Sequence, residues 1–407
     1  MKKILNKHIY FSLIFCLTAI CTLFASCKTE EIGSPVITGV RNYALAPGDS
    51  VVKSLIPGQW IVLTGQNLKN ATQITFDGVP ATFNSALSSD TYTVVQVPSV
   101  IPFPSVPADK LNTIQYVTSD GSTTFAFNVV SPPPTLTAIS NENANKGDLV
   151  TISGTNLFLI KSLTFAGTPI TNYASRNDGT ALAFVLPELT QAGPVQITTQ
   201  SGSATTLYNV NDVESGMLCN FDDINTLSWG PSSVSNNMTL FSDGRGYYAQ
   251  LNATNVGAGD NSWWNGGRGI NLNAVQWVPT TAMNDTVSHY ALKFEINVPE
   301  AWSAGTLFVA VNYGWTYIAR YSPWLNADGS TTAYTSGGWH TATIPFSEFR
   351  EKSSTDVNGK GTSLTAFSDL LGSTGNNGMN IWLINDGTTA IASYNMAIDN
   401  IRVVKIK

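Results

Sequence analysis

The chain has 407 residues, a formal net charge of −6 and only 12 % charged residues. That length allows two to four domains, and the lack of a basic stripe argues against nucleic acid as a partner. Lys, Glu and Ala runs are missing, while Gly, Thr, Ser, Asn, Val and aromatics dominate, which predicts an all-β chain of short strands and turns.

Residues 1–26 read as a targeting segment. Lys2, Lys3 and Lys7 precede an apolar run from Ile9 to Phe24, and small residues lead to Cys27. The run is shorter than the ~20 residues of a spanning helix, so a cleaved secretory signal is expected rather than a membrane anchor. "FASC" resembles the lipobox of bacterial lipoproteins, with Phe24 where Leu is usual, and the resemblance implies lipidation of Cys27. The acidic "KTEE" behind it resembles the export signal that sends such lipoproteins to the outward face of the outer membrane; a solvated linker over 27–34 would look similar. Cys16 and Cys21 leave with the signal, so Cys219 is the one cysteine left in the folded part and no intrachain disulfide forms. Its setting, "MLCNF", predicts a small buried residue rather than a nucleophile.

Two copies of one domain follow, over 35–131 and 132–211. Gly65, Asn67, Leu68, Phe76, Gly78, Pro80 and Pro98 match Gly154, Asn156, Leu157, Phe165, Gly167, Pro169 and Pro187 at one offset of 89 residues. Alternating "WIVLTG" and "LVTISG" predict half-buried strands. Gly-x-Asn-Leu predicts a tight turn in which Gly and Asn take positive φ, and Phe-x-Gly-x-Pro predicts a turn directly after a strand. These copies resemble IPT/TIG immunoglobulin-like domains. The first carries a proline-rich insertion, "SVIPFPSVPADKLN", expected to be a stiff connection. "SPPPT" between the copies predicts a semi-rigid linker and a spacer built of beads.

Composition shifts near residue 211. Nine of the ten tryptophans lie beyond residue 220, beside Asn and Gly. The segment 212–407 predicts one larger β domain, with helical turns only near 346–351 and 364–371. "WHTATIPFSEF", "AIDNIRVV" and the opening "CNFDD" resemble jelly-roll carbohydrate-binding modules. The predicted fold is therefore all-β: two immunoglobulin-like (IPT/TIG) sandwiches followed by a larger jelly-roll β-sandwich.

The whole architecture resembles the B-type surface glycan-binding proteins of starch-utilisation-like operons. That resemblance implies a lipid-anchored protein on the outward face of the cell outer membrane. It implies a polysaccharide ligand of β-glucan, mannan or xylan type, handed to a TonB-dependent transporter and a partner surface lipoprotein. No cofactor is required by this reading.

Flat aromatic rings cover the C–H faces of sugars, and Asn, Gln, Asp and Arg address the hydroxyls. The expected contacts are Trp263 or Trp264 in "NSWWNGGRG" and Trp315, Tyr317, Tyr321 and Trp324 in "NYGWTYIARYSPW", with Arg320 as polar partner. In an extended segment Trp315, Tyr317 and Tyr321 would share one face, at about 7 Å per two residues; a buried aromatic core face is the competing reading. Trp339 and Trp382 are expected to pack as strand residues, as is Trp60 in the first copy. Trp302 stands equally as core edge or ligand contact, and Trp229 and Trp277 have no discriminating context. Asp222, Asp223 and Asp399 are equally readable as ligands of a structural calcium or as strand-end hydrogen-bond acceptors. No carboxylate pair of the hydrolase kind stands out among the acidic residues, and His289 and His340 are too few for a triad, so no enzyme activity is expected. Adhesion through the immunoglobulin-like domains is the alternative, and it leaves the C-terminal tryptophans unexplained.

Overall fold

The computed structural model describes residues 33–242 and 244–407. The signal segment and Cys27 lie outside the described residues. Among the described residues no helix is long and apolar enough to cross a membrane. The chain divides into two compact units, one ending at Ser131 and the other spanning Pro132–Lys407 with the short segment Pro102–Pro104.

The first unit is a sandwich of two four-stranded antiparallel sheets. One has the order Val36–Asn42, Trp60–Gln66, Tyr92–Gln96, Phe83–Ser88; the other has Val79–Pro80, Ala71–Phe76, Thr113–Thr118, Gly121–Ala126. The repeated motif has a physical reason at each position. Leu68 and Phe76 are fully buried, and Asn67 takes the positive φ of the turn, 58°. Gly65 has a different duty from the one expected. A Cβ there would lie 1.9 Å from the carbonyl oxygen of Val36, so the neighbouring strand's close approach demands glycine. Trp60, expected to pack, is 45 % exposed and leans on Tyr43.

The second copy repeats the plan with Thr135–Ile139, Leu149–Thr155, Ala181–Val185 and Ala174–Ser175 in one sheet and Thr168–Pro169, Ile160–Phe165, Val195–Thr199 and Ser203–Thr205 in the other. Gly154 would meet the Thr135 carbonyl oxygen at the same 1.9 Å, and Asn156 takes φ 55° while its Nδ2 donates to the Pro133 carbonyl. Asn67 makes the equivalent bond to the Ser34 carbonyl.

The C-terminal domain packs a six-stranded against a five-stranded antiparallel sheet. The first runs Ser233–Ser235, Tyr248–Val256, Ile391–Lys405, Tyr290–Asn297, Trp339–Pro345, with Met217–Cys219 also paired to Ile391–Lys405. The second runs Leu227–Trp229, Gly269–Gln276, Asn376–Ile384, Thr306–Val311, Ala319–Tyr321. Leu292, Phe294, Ile296, Leu307, Val309, Met379, Ile381 and Leu383 fill the core between them. Trp277 and Trp302 are buried in this core, as is the free thiol of Cys219, whose pKa burial pushes up. Trp339 packs beside Tyr248. Helical turns occur at Phe346–Glu348 and Phe367–Leu371, where they were expected, and 3-10 turns also form at Phe103–Ser105, Thr280–Ala282 and Val287–His289.

Every residue of Tyr290–Asn297 is buried, including Lys293 and Glu295. A strand that alternates apolar and charged residues should leave one face in water. Here the second immunoglobulin-like domain covers that face. Glu142 from that domain pairs with Lys293 and, at 2.7 Å, with Arg402. Arg402 in turn holds both oxygens of Glu295, at 2.8 and 2.9 Å. The ring of Tyr208 caps Lys293 at 3.7 Å, Thr341 donates to Glu295 at 3.0 Å, and Arg245 reaches across to Asn145 and the Ala144 carbonyl. Burial alone would push the Glu142 carboxyl up, but Lys293 and Arg402 outweigh it and hold it below the usual range. The second copy is therefore not a detached bead; it is joined to the C-terminal domain by a neutral four-charge cluster out of water.

Candidate binding surface on the five-stranded sheet

The outward face of the five-stranded sheet has no covering domain within this unit. It carries its own small apolar cluster of Phe308, Ala310, Ile318, Trp382 and Ile384, against which Trp263 and Trp315 pack. Trp382 is fully buried and forms the floor. Trp263 lies nearly parallel over it, with ring centroids 5.0 Å apart and planes at 29°. Trp315 and Tyr313 meet the same ring at 5.5 and 6.1 Å. Trp229 and Trp264 flank Trp263 at 6.4 and 5.7 Å. Trp264 is 57 % exposed, Tyr313 42 % and Trp229 36 %, which makes a continuous aromatic surface facing solvent. Exposed aromatic patches of this size on a folded domain mark interaction sites.

Polar side chains fix this surface from below. Asn271 Oδ1 accepts from Asn380 Nδ2 at 2.8 Å and from Trp382 Nε1 at 2.9 Å, while Asn271 Nδ2 donates to the Trp229 carbonyl at 3.2 Å. The Tyr313 amide donates to Asn380 Oδ1 at 2.6 Å, and Trp229 Nε1 donates to the Tyr313 hydroxyl at 3.0 Å. The polar edges of Trp229, Tyr313 and Trp382 are thus tied down, and these rings are held in place before any ligand arrives. The loop bearing Trp263 is pinned separately. Asp260 accepts from the Ser262 amide and pairs with Arg268 at 2.8 Å, and these bonds pull its carboxyl down to about 2.

At one end the rings give way to a hollow of ≈ 310 Å³ walled by Phe308, Trp315, Asn261, Asp356, Asn358 and Asp386. Arg320 stands beside it with its guanidinium 4.7 Å over Phe308. It grips both oxygens of Asp386 at 2.7 and 3.1 Å and also donates to the Asn358 carbonyl and Thr306. Both of its terminal nitrogens are committed, so Arg320 positions Asp386 and leaves most of the hydroxyl-binding chemistry to the acceptors around it.

The expected aromatic set is divided by the structure. Trp263, Trp264, Trp315 and Arg320 do reach the outward face. Tyr317, Tyr321 and Trp324 do not share it with Trp315; they pack against the core between the sheets. Tyr321 meets Phe294 edge-on and Trp302 at a tilt, and burial raises its hydroxyl pKa far above the ordinary value. The shared-face expectation required an extended chain from 315 to 321. Asn312 and Tyr313 instead take φ 47° and 59°, and regular pairing resumes only over Ala319–Tyr321. There Ala319 and Tyr321 face inward and Arg320 outward.

Trp229 and Tyr313 were not anticipated as surface residues, and Asn271 and Asn380 were not anticipated at all. Asparagines interrupting otherwise apolar strands, in "GINLN" and "MNIWLIN", were the available signal. Of the three aspartates weighed for calcium, Asp222 and Asp223 are exposed and Asp399 is buried. Burial, then the neighbouring Glu295, push the Asp399 carboxyl well above its usual range. Among the described residues no group of three or more His, Cys, Asp or Glu side chains could hold a metal ion, and these three do not converge into one.

Comparison with known proteins identifies two of the domains. Residues 210–405 match the surface glycan-binding protein B xyloglucan-binding domain, and residues 134–211 match the IPT/TIG domain. The C-terminal domain is thus similar to the glycan-binding domain of surface glycan-binding protein B. The family is one of binding proteins, not enzymes, and its members are surface proteins. The fold is similar to that of surface glycan-binding protein B from Prevotella bryantii, with a TM-score of 0.70 at 24 % identity over 92 % of this chain and 99 % of that one. It is also similar to the B-type protein from a complex xyloglucan utilization locus of Bacteroides uniformis, with a TM-score of 0.50 at 20 % identity over 92 % and 100 % of the two chains. A curated relative, an IPT/TIG domain-containing protein of Bacteroides ovatus, is 27 % identical over 212 residues, which is 49 % of this chain and 40 % of that protein's length.

Proposed function

We propose that this protein holds an extended β-glucan, xyloglucan among the candidates, against the outward face of its five-stranded sheet. The carrying observation is the fixed aromatic surface of Trp229, Trp263, Trp264, Tyr313 and Trp315 around the buried Trp382. Each exposed ring covers one sugar face by stacking, and Asn261, Asp356 and Asp386 beyond Trp315 accept hydroxyl hydrogen bonds. Trp229 and Tyr313 are held beforehand by hydrogen bonds, so much of the ordering cost falls on the ligand, and affinity should lie roughly between micromolar and sub-millimolar. No bond is cleaved. The family match to a xyloglucan-binding domain supports the ligand class. Lipid anchoring at Cys27 on the outer membrane, and delivery to a TonB-dependent transporter with a partner lipoprotein, complete this reading.

Affinity electrophoresis of the full chain in gels containing xyloglucan, mixed-linkage β-glucan, mannan or xylan tests it. Retardation by a β-glucan that disappears in Trp263→Ala and Trp315→Ala is expected. Migration unchanged by every polymer would overturn the proposal.

A further inference from the structure

The loop that carries Trp263 and Trp264 continues directly into an Asn265–Gly266 step. At such a step the glycine amide nitrogen can reach the asparagine side-chain carbonyl carbon, because no Cβ obstructs the approach and glycine adopts the backbone angles that ring closure needs. The chain has three of these steps, the others being Asn358–Gly359 and Asn377–Gly378. Both of the others are restrained. Gly359 is buried at φ 70°, where a Cβ would come within 2.7 Å of the Ile318 carbonyl oxygen, and the Asn358 carbonyl accepts from Arg320 at 3.1 Å. Asn377 pairs with Val275 in the five-stranded sheet, and its carbonyl accepts from Trp277 Nε1 at 2.9 Å. The Gly378 carbonyl accepts from the Asn312 amide at 3.1 Å. The Gly378 N–H points at Asn377 Oδ1 at 3.0 Å, which aims its hydrogen rather than its nitrogen at the side chain.

Asn265 has none of these restraints. It and Gly266 are both exposed, and a Cβ at Gly266 would meet nothing within 4 Å. Among the described residues neither the Asn265 side chain nor the Gly266 amide makes a hydrogen bond. The Asn265 amide donates to the Ser262 carbonyl at 3.1 Å, and the chain is pinned again at Gly267, whose amide donates to the Gly230 carbonyl at 2.8 Å. We propose that Asn265 is a site of spontaneous deamidation whose products weaken the aromatic surface. The Gly266 nitrogen bonds to Asn265 Cγ and gives up its proton; the Cγ–Nδ2 bond breaks, and ammonia leaves with that proton. Water then opens the succinimide at one carbonyl to aspartate or at the other to isoaspartate. Both products put a carboxylate beside Trp264, and isoaspartate also lengthens the main chain by a methylene. The Ser262 turn and Gly267 bound this stretch, so the added length falls on Trp263 and Trp264. Trp263 stacks on Trp382 with centroids 5.0 Å apart, and that stacking is what the change disturbs.

The reaction at Asn265 is independent of the proposed function; its effect on binding rests on that reading, and the test keeps the two apart. The full chain would be aged in mildly alkaline buffer, which favours loss of the amide proton. Peptide mass spectrometry would follow replacement of NH2 by OH at each Asn-Gly step, with isoaspartate counted by enzymatic methylation. Samples would run in parallel through affinity gels containing xyloglucan or mixed-linkage β-glucan. Asn265 should convert roughly tenfold or more faster than Asn358 and Asn377, since those two steps must first open locally. Retardation should fall in step with isoaspartate content. Gly266→Ala, whose added Cβ finds open space yet shields the attacking nitrogen, should stop the conversion and keep retardation through ageing. An Asn265 that stays unconverted, or conversion at equal rates at all three steps, would overturn the modification site. Conversion at Asn265 with unchanged retardation would overturn its effect on the surface. Fresh protein that neither gel retards would overturn the proposed function, and the effect on binding with it, while the mass readout still decides the site.

Discussion

Replacing Glu142 by alanine tests whether the second immunoglobulin-like domain and the glycan-binding domain act as one body. The side chains of Glu142, Lys293, Arg402 and Glu295 are each at most 4 % exposed, and their formal charges sum to zero. Removing Glu142 leaves two cations sharing one carboxylate in a site closed to water. Breaking a buried pair on one side costs about 3–5 kcal/mol, because the remaining charge keeps its desolvation penalty. At about 2–4 °C per kcal/mol for a domain of this size, the melting temperature should fall by roughly 6–20 °C. Tryptophan emission is a selective probe of this unit, since Trp60 alone of the tryptophans belongs to the first one. Glu142→Ala/Lys293→Met, which restores neutrality, should recover most of the loss. Because the cluster is buried, the effect should persist in high salt. A loss under about 1 kcal/mol, or one that salt abolishes, is the behaviour of an exposed ion pair and would refute the reasoning. Glycan binding at low temperature should survive, because the cluster sits on the outward face of the six-stranded sheet and the rings on that of the other.

Other outcomes follow from single contacts. Trp263→Ala should abolish β-glucan retardation with little change in melting, whereas Trp382→Ala, which removes the buried floor, should cost about 3–5 kcal/mol of stability. Tyr313→Phe removes the acceptor of Trp229 Nε1 and should weaken binding by roughly threefold to tenfold, read by calorimetry. Asp260 has its folded pKa lowered from 3.8 to about 2, so its contribution is present above pH 3.8 and is lost as pH falls through about 2. Binding should therefore decline over that window in acid, and Asp260→Asn should show the weakened state already at neutral pH. Gly154→Ala places a Cβ on the Thr135 carbonyl and should lower the tryptophan-detected melting transition, while Gly65→Ala should leave that transition in place and destabilise only the first unit.

The sequence made the repeat legible because backbone constraints are local. Asn67 and Asn156 take positive φ and bond a preceding carbonyl within their own copies, so the same residues recur at one offset. Trp382 read correctly as a packed strand residue, since its neighbours in "IWLI" are all apolar. What sequence did not reveal was that its strand is covered on the outward side by other tryptophans. That covering comes from the 263 loop and the 313–315 turn, which are distant in sequence, and no periodicity encodes it. The join between Glu142 and Arg402 spans 260 positions and was invisible for the same reason.

The division of the Trp315–Trp324 segment shows how the shared-face expectation came to rest on a periodicity the chain does not keep. Strand parity holds only where the chain is extended. Asn312 and Tyr313 turn the chain, and that turn lifts Tyr313 and Trp315 over Trp382. Had the segment stayed extended from 311, Trp315 would have followed Val309 and Val311 into the core. The turn thus moves one tryptophan from the core to the outward face, while Tyr321, back in register with Leu307, returns to the core. Trp324 belongs to neither the row nor the shared face. It packs instead against the core between the sheets, where its Nε1 donates to the Gly305 carbonyl at 2.8 Å.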